Sequence, residues 1–192
     1  MRAVIQFSGG RDSLALAYHM RALTPFVDVV MVDTGDMPLY AYENKALVKS
    51  LGFNKNLQLV RDLGFNVELV QTRSDDWRSR NGNPSGDNWI ACCFHNIWMP
   101  MGEFVQQRGY RQVLRGTRRC DPHFHGVMPG DIVDGVLYTF PLWDWTDKQV
   151  NDYLGPLLPE AYRNDVNGMP DCLTCPVMEA CGGKNREVWN AS

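Results

Sequence analysis

A glycine-rich turn near the start of the chain has the composition of an anion-binding loop. It follows a short apolar run, residues 3–7, and precedes a helix-like run, residues 14–23. Adjacent glycines let the backbone approach a ligand closely, and the N–H groups and dipole at the start of a helix favour a negative charge. The turn therefore predicts a phosphate site, with a nucleotide as the first ligand to consider; the alternative is a plain strand-to-helix turn capped by a serine or the aspartate. This loop, called the Ser8–Ser13 loop below, consists of Ser8, Gly9, Gly10, Arg11, Asp12 and Ser13.

A second polar turn, Asp33-Thr34-Gly35, comes at the end of the next predicted strand, residues 27–33. An acidic residue at this place can hydrogen-bond a ribose or hold a cation beside phosphates. Open α/β sheets bind ligands at the carboxyl ends of their strands. We therefore expect one crevice to collect this turn and the Ser8–Ser13 loop.

Arginines are concentrated in a short stretch in the second half of the chain. Guanidinium groups bind phosphate or sulfate through two parallel hydrogen bonds. Arg118 and Arg119 follow a predicted strand, residues 112–115, in the segment Gly116-Thr117-Arg118-Arg119, and we expect both to bind an anionic substrate. The two arginines before that strand are better explained as a solvated helix end. The full set is Arg108, Arg111, Arg115, Arg118 and Arg119.

The six cysteines have spacings that suggest a metal centre. Cys92 and Cys93 are adjacent, and Cys172 and Cys175 form a C-x-x-C turn that aims two thiolates at one point. Four thiolates from two segments would hold an iron–sulfur cluster or a zinc ion. A redox-active C-x-x-C pair and plain buried thiols are the alternatives. The remaining two cysteines are Cys120 and Cys181.

The elements that position these groups alternate between strand and helix patterns, which predicts a parallel sheet in an α/β fold. Residues 39–64 indicate one long or two short helices with a break at Gly52, and residues 73–89 are polar and without periodicity, which predicts a mobile loop. The tail from residue 156 lacks a regular pattern. The predicted strands are 3–7, 27–33, 66–71, 112–115 and 136–140, and the clearest helices are 14–23 and 97–107.

The bulk composition is that of an ordinary globular protein. With 192 residues, 44% of them apolar, we expect a single domain over residues 1–192 that needs no disulfides. A net charge of −3 gives no general attraction for nucleic acid or anionic membranes. No apolar stretch approaches the roughly 20 residues of a spanning helix, and no signal-peptide pattern is present, so we expect a cytoplasmic protein.

Taken in order, these segments resemble the motifs of the phosphoadenosine phosphosulfate reductase family. This family is a branch of the adenine-nucleotide α-hydrolase (PP-loop) fold, which also includes ATP pyrophosphatases. The resemblance covers nearly the whole chain, and six elements in order are far more specific than any one. They are the Ser8–Ser13 loop (SGGxDS), Asp33-Thr34-Gly35 with Pro38 and Tyr40, Cys92-Cys93 before Met99-Pro100-Met101, Gly116-Thr117-Arg118-Arg119 (GxRR), residues 141–146 (PLxDWT) and residues 171–175 (GCxPCT).

The resemblance implies a doubly wound, mostly parallel sheet flanked by helices, with an irregular cysteine-containing C-terminal tail. It implies a [4Fe-4S] cluster on Cys92, Cys93, Cys172 and Cys175, with zinc as the alternative. It also implies an oxidoreductase of sulfate assimilation. In such enzymes a cysteine thiolate attacks the sulfur of adenosine 5′-phosphosulfate or its 3′-phosphorylated form, AMP or its 3′-phosphate leaves, and a thioredoxin-like thiol releases sulfite. Arg118 and Arg119 would disperse charge on the transferred group.

Two departures from the family pattern keep other functions in view. The reductases carry their nucleophile in an ECG-x-H tail, whereas this sequence offers Cys181 within residues 179–183, so Cys181 is the candidate nucleophile. Reductases also often have a degenerate pyrophosphate loop, and the intact Ser8–Ser13 loop favours ATP. The alternative is an ATP pyrophosphatase that adenylates a substrate during sulfur transfer to a nucleic acid or small molecule.

A third class is a non-catalytic module that binds nucleotide and cluster and acts through a partner protein. The stretch that contains Trp77 and Trp89 would then be its contact surface. Nucleic acid is a partner only under the ATP-dependent alternative. We expect a homo-oligomer under each of these readings.

Overall fold

The computed structural model describes residues 2–24, 27–35, 53–82, 89–121 and 126–158. Its strands are β1 (Ala3–Gln6), β2 (Asp28–Asp33), β3 (Val67–Gln71), β4 (Gln112–Leu114), β5 (Ile132–Val133) and β6 (Val136–Thr139). Its α-helices are α1 (Arg11–Leu23), α2 (Phe53–Asp62), α3 (Ser74–Asn81), α4 (Trp89–Cys93), α5 (Met99–Gln107) and α6 (Asp147–Leu154), with a π-helix at Phe94–Trp98 and a 3₁₀ turn at Gly155–Leu157.

The strands form a six-stranded, mostly parallel sheet in the order β3-β2-β1-β4-β6-β5. β1 pairs in parallel with β2 on one side and with β4 on the other, and β4 pairs in parallel with β6. Only the short edge strand β5 is antiparallel among the described pairs. The chain therefore reverses its direction of travel across the sheet between β1 and β4, which is the type of point at which open α/β sheets bind ligands.

Apolar residues explain why these short runs become strands. Val4 and Ile5 of β1 are 0% exposed, and Val113 and Leu114 of β4 are similarly buried. Successive side chains of a strand point to opposite faces, so burial of consecutive residues means that both faces of the sheet are covered. The doubly wound arrangement expected from the sequence is confirmed.

The described residues separate into two compact units. The first takes residues from Met1–Met31, Leu57–Glu68 and Glu103–Leu158, and contains β1, α1, β4, β5, β6 and α6. The second takes residues from Val32–Asn56 and Leu69–Gly102, and contains α3, α4 and the π-helix. Among the described residues no helix is both long and apolar enough to cross a membrane.

The prediction of a mobile loop over residues 73–89 is wrong for its first half, which forms α3. Acidic Asp75 and Asp76 lie in the first turn of this helix and basic Arg78 and Arg80 in its last turn, an arrangement that complements the helix dipole. Trp77 is 8% exposed, so it is a core residue and not part of an exposed contact surface. The side chain of Trp89 lies outside the described part of the structure.

Candidate functional site

The Ser8–Ser13 loop turns the chain from β1 into α1 with the geometry that its glycines predict. Gly9 has a φ of +84°, a region that glycine enters without steric penalty. Gly10 is the N-cap of α1 and provides no side-chain cap, so capping by serine or aspartate is not what the structure contains. The hydroxyl of Ser13 instead donates to the Gly10 carbonyl at 2.9 Å. The 13-residue helix α1 thus presents its positive dipole end beside two glycines.

Gly116 brings the segment after β4 against this loop. A Cβ built on Gly116 would lie 2.8 Å from the carbonyl carbon and oxygen of Asp12 and 2.9 Å from the amide nitrogen of Ser13. These are backbone atoms, which cannot move aside as the end of a flexible side chain can. Only glycine fits, and its Cα therefore packs directly on the first turn of α1.

Arg118 lies at the centre of a network of three carboxylates. Its side chain is 3% exposed, and its Nε lies 3.0 Å from Oδ1 of Asp12. Its Nη2 lies 3.1 Å from Oδ1 of Asp121 and 3.0 Å from Oδ1 of Asp147. The arginine expected to bind an anionic substrate is thus enclosed and neutralised by acidic groups of its own unit.

Helix α6 supplies the far side of this network. Arg11 of the Ser8–Ser13 loop forms an ion pair with Asp147 and donates from Nη1 to Asn151 Oδ1 at 3.2 Å. Asp147 begins α6 because Thr146 caps the helix: the hydroxyl of Thr146 accepts from the Gln149 amide at 3.2 Å, and the Gln149 side chain accepts from the Thr146 amide at 2.8 Å. This capping box fixes where Asp147 stands relative to α1.

Burial and charge set the protonation behaviour of the network. Burial raises the pKa of Asp12 from its ordinary value of 3.8 to about 6, which outweighs the opposing effects of Arg118 and Arg11. Burial lowers the pKa of Arg118, but Asp12, Asp121 and Asp147 outweigh it and raise that pKa overall. For Asp147, the nearby Arg11 and Arg118 outweigh burial and lower the pKa. Of Asp12 and Asp147, Asp12 is therefore the carboxylate whose pKa lies closer to neutral pH.

Arg119 is placed differently from its neighbour. Its side chain is 69% exposed, its Nη2 lies 2.6 Å from Oδ1 of the exposed Asp144, and its guanidinium lies 5.9 Å from the ring centroid of Trp143. An exposed ion pair of this kind is weakly held and exchanges readily with solvent ions. Arg119 can therefore leave Asp144 for an anionic ligand, which Arg118 cannot do without unpairing a buried charge.

In the second unit, a chain of hydrogen bonds links the Asp33-Thr34-Gly35 turn to the cysteine helix. The Asp33 carbonyl accepts from the Thr72 amide at 2.8 Å, and the Thr72 hydroxyl donates to the Asn96 carbonyl at 2.8 Å. The Asn96 side-chain amide then donates to the Cys92 carbonyl at 2.9 Å. Within the turn, the Gly35 amide donates to Asp33 Oδ1 at 3.0 Å, which holds this carboxylate in a tight Asx-type turn.

The donor chemistry of Cys92 and Cys93 fits a thiolate-bound metal centre. Both side chains are half-buried, at the junction of α4 with the π-helix. The Asn96 amide nitrogen lies 3.6 Å from Cys92 Sγ, and a hydrogen-bond donor at a sulfur stabilises its thiolate form. Within the described ranges no three His, Cys, Asp or Glu side chains are grouped in a way that could hold a metal ion. Cys172, Cys175 and Cys181 lie outside those ranges, as do Pro38 and Tyr40.

The sequence patterns missed several residues of these networks. Asp121, Asp147 and Asn151 complete the surroundings of Arg118 and Arg11, and Thr72 and Asn96 link the Asp33 turn to Cys92. One signal for α6 was present in the sequence, since Thr146 and Gln149 have the spacing of a capping box. No comparable pattern marks the others.

Comparison with known proteins agrees with this architecture. The family model described as phosphoadenosine phosphosulfate reductase domain matches residues 2–157. The fold is similar to that of phosphoadenylyl-sulfate (PAPS) reductase from Candida auris in a phosphate complex, with a TM-score of 0.60 and 16% identity over 89% of this chain and 81% of that chain. A predicted subunit of tRNA methyltransferase from Methanocaldococcus jannaschii is also similar, with a TM-score of 0.48 and 17% identity over 79% of this chain and 74% of that chain. The comparison with curated proteins found no match.

The family match begins at the start of β1 and ends just beyond α6, so it includes the Ser8–Ser13 loop and every residue of the Arg118 network. It also includes Cys92 and Cys93. Far more than half of the sequence is covered, and the fold is similar to that of the Candida auris reductase. The chain belongs to the phosphoadenosine phosphosulfate reductase domain family.

Proposed function

We propose that this protein reduces an adenine sulfonucleotide, either adenosine 5′-phosphosulfate or 3′-phosphoadenosine 5′-phosphosulfate, and releases sulfite with a thiol reductant. The observation that carries the proposal is the family match over residues 2–157, which takes in the uncapped start of α1. The phosphate complex of the Candida auris reductase, which has the same fold, agrees with an anion-binding role for the family.

The reaction needs a thiolate nucleophile and a dithiol reductant. The thiolate attacks the sulfate sulfur, the bond from that sulfur to the bridging phosphate oxygen breaks, and the nucleotide leaves with the electron pair. The enzyme then carries a thiosulfonate. A thiol of the reductant attacks the cysteine sulfur and expels sulfite, and its second thiol closes the disulfide and regenerates the cysteine. One dithiol is oxidised to a disulfide for each sulfate group reduced to sulfite.

The exposure and the charge of each residue determine its proposed role in the reaction. The Ser8–Ser13 loop binds the phosphate group at the start of α1, and the exposed Arg119 approaches the transferred group when it leaves Asp144. Arg118 acts as a positioning residue, since it joins the loop to α6 through Asp12 and Asp147. Cys181 is the proposed nucleophile.

The four cysteines Cys92, Cys93, Cys172 and Cys175 are the proposed ligands of a [4Fe-4S] cluster, with zinc as the alternative. A bound [4Fe-4S] cluster would supply electron-transfer capacity to the sulfur chemistry. In the described part of the chain, Asn96 orients the first of these ligands through the Cys92 carbonyl and sulfur. The colour of the anaerobically purified protein distinguishes the two metal centres. A cluster gives a brown protein whose absorbance is lost in Cys92→Ser, whereas zinc gives a colourless protein.

The test is thiol-dependent sulfite release from each sulfonucleotide, measured anaerobically on metal-loaded protein with thioredoxin or dithiothreitol. Cys181→Ser should abolish sulfite release and leave nucleotide binding intact, while Cys120→Ser, which alters an exposed thiol after Arg119, serves as the matched control. If neither sulfonucleotide gives sulfite with the metal centre intact, the proposed reaction is wrong.

The intact Ser8–Ser13 loop supports a second candidate function, the ATP pyrophosphatase reaction. Its two glycines and the uncapped helix start would suit the pyrophosphate leaving group of ATP. Adenylation of a substrate oxygen would then release pyrophosphate and prepare that position for sulfur transfer. Substrate-dependent pyrophosphate release from ATP on the same sample tests this reaction, and ATP that neither binds nor turns over excludes it. Tight binding without either turnover would point to the non-catalytic module.

A further inference from the structure

Arg115 stands at the carboxyl end of β4, directly before Gly116. Its backbone amide donates to the Thr139 carbonyl at 3.0 Å, which continues the pairing of β4 with β6. Its Nε donates to Gln6 Oε1 at 2.7 Å, and its guanidinium carbon lies 5.6 Å from the ring centroid of Tyr138. Three neighbouring strands, β1, β4 and β6, therefore bring together Gln6, Arg115 directly after β4, and Tyr138.

The charge of Arg115 is not balanced in the way that the charges of the neighbouring arginines are. Arg11 pairs with Asp147, Arg118 with three carboxylates, and Arg119 with Asp144. For Arg115 no ion pair with a carboxylate occurs within the described residues, where its side chain contacts the neutral amide of Gln6 and the ring of Tyr138. The two terminal nitrogens of this half-buried side chain have no hydrogen-bond partner there either.

A guanidinium partly withdrawn from water without a counter-ion destabilises a protein unless something compensates it. Burial lowers the pKa of Arg115, and the opposing effect of Tyr138 is smaller, which agrees with a desolvated charge. Arginine does not lose its proton in proteins, so the positive charge stays in place. A bound anion would provide the missing compensation.

The position of Arg115 points to the same ligand as the Ser8–Ser13 loop. Gln6 lies two residues before this loop, and Arg115 lies one residue before Gly116, which packs on the backbone of Asp12 and Ser13. β1 and β4 are adjacent, and the sheet reverses its order between them. Their carboxyl ends form the place at which this type of sheet binds ligands.

We propose that Arg115, oriented by Gln6, is an anion-binding residue that contacts a phosphate or sulfate group of the nucleotide. The terminal nitrogens of its guanidinium match the oxygens of a tetrahedral oxyanion. The identity of the ligand as a nucleotide rests on the proposed function, whereas the requirement for an anion rests on the unbalanced charge. Arg118, the sequence-based candidate for this role, is already neutralised by Asp12, Asp121 and Asp147.

The test compares Arg115→Met with the wild type in two measurements, the unfolding temperature without ligand and the affinity for three probes. The probes are AMP, adenosine 3′,5′-bisphosphate and adenosine 5′-phosphosulfate, titrated by calorimetry. Arg115→Met should unfold at or above the wild-type temperature, because an uncompensated charge has been removed, and should bind at least one probe roughly tenfold to a hundredfold more weakly. Arg108→Gln is the matched control, since Arg108 is exposed and pairs with Glu68, and it should change neither measurement.

The pattern across the probes identifies the group that Arg115 contacts. If all three probes bind more weakly, Arg115 contacts the 5′-phosphate. If only the bisphosphate binds more weakly, it contacts the 3′-phosphate, and if only the phosphosulfate does, it contacts the sulfate. Unchanged affinity for all three probes overturns the inference, and so does a lower unfolding temperature with unchanged affinity, which would mean a structural cation. If Arg115→Met does not fold, Arg115→Lys replaces it in the test, because lysine keeps the positive charge but lacks the planar guanidinium. Weaker probe binding by folded Arg115→Lys supports the inference, and wild-type affinity overturns it.

The result is independent of the sulfite assay. Loss of probe binding in Arg115→Met together with no sulfite release by the wild type would reject the proposed reaction and keep the anion site. Sulfite release by the wild type together with normal probe binding in Arg115→Met would support the proposed reaction and reject Arg115 as an anion-binding residue. A wild-type protein that binds none of the probes contradicts both.

Discussion

The raised pKa of Asp12 predicts that this carboxylate opposes folding at neutral pH. Asp12 has a pKa of about 6 in the folded chain against an ordinary value of 3.8. Since each tenfold change in proton affinity corresponds to roughly 1.4 kcal/mol, the difference corresponds to about 3 kcal/mol. The side chain of Asp12 is 28% exposed, so most of this effect should survive solvent screening. The raised pKa therefore favours the folded state when Asp12 is protonated: this contribution to the free energy of unfolding is fully present below pH 3.8 and is lost as the pH rises through 6.

The perturbation is Asp12→Asn, which removes the titration and keeps the size of the side chain. We expect the free energy of unfolding of the wild type minus that of Asp12→Asn to fall by about 2 kcal/mol between pH 4.5 and pH 7.5, the part of the total that lies in this range. Urea unfolding at several pH values measures both proteins. Because only the difference is interpreted, the titration of carboxylates outside the Arg118 network largely cancels.

Asp147→Asn is the matched control with the opposite sign. The pKa of Asp147 is lowered, because Arg11 and Arg118 outweigh its burial, so its contribution is present above its ordinary pKa and is lost as the pH falls through the folded-state value. The wild-type minus Asp147→Asn difference should therefore rise toward neutral pH. A difference for Asp12→Asn that stays constant from pH 4.5 to 7.5, or rises with pH as for Asp147→Asn, would refute the assignment of a desolvated carboxylate at the start of α1.

Three further substitutions test the packing and pairing of the site. Gly116→Ala should abolish binding of AMP or destabilise the chain severely, because its Cβ would lie 2.8 Å from the backbone of the first turn of α1. The control is Gly102→Ala, whose Cβ would meet nothing within 4 Å and which should be neutral or slightly stabilising. Calorimetry and urea unfolding of both proteins measure these effects. Arg118→Gln should lower the free energy of unfolding by about 1–3 kcal/mol, since it removes the cation that Asp12, Asp121 and Asp147 share, and an unchanged free energy in urea unfolding would contradict that role. Asn96→Ala should lower the same quantity by about 1–3 kcal/mol through loss of the donor to the Cys92 carbonyl, and an unchanged urea midpoint would show that this bond contributes nothing.

The strands of the sheet could be predicted because their apolar runs are short, continuous and bounded by polar turns. The predicted strand over residues 27–33 became β2 at Asp28–Asp33, and the one over residues 112–115 became β4 at Gln112–Leu114. Helix α3 could not be found in this way, because seven of its eight residues are polar and only Trp77 buries a large apolar side chain. Its charges complement the helix dipole, and it has no periodic apolar face that a sequence pattern could detect.

The candidate site was predictable in its parts but not in its charge balance. The Ser8–Ser13 loop and the two arginines after β4 carry local patterns that the sequence displays. Asp147 neutralises Arg118 from a helix that lies far along the chain, and no local pattern records such a contact. The same reason explains why Arg115 was not distinguished from its neighbours: that no described carboxylate pairs with it is a property of strands brought together from distant parts of the chain.

The pairing of Arg11 with Asp147 also has a consequence for the order in which the chain folds. These residues are 136 positions apart, so the pairing forms only after the sheet between them has closed a very long loop. Contacts absent from the folding transition state affect mainly the rate of unfolding. We expect the Arg11, Arg118 and Asp147 network to assemble late, so that its loss accelerates unfolding and leaves the folding rate nearly unchanged. The contacts of the Ser8–Ser13 loop are then a late product of folding, and a ligand bound there would act chiefly by prolonging the lifetime of the native state.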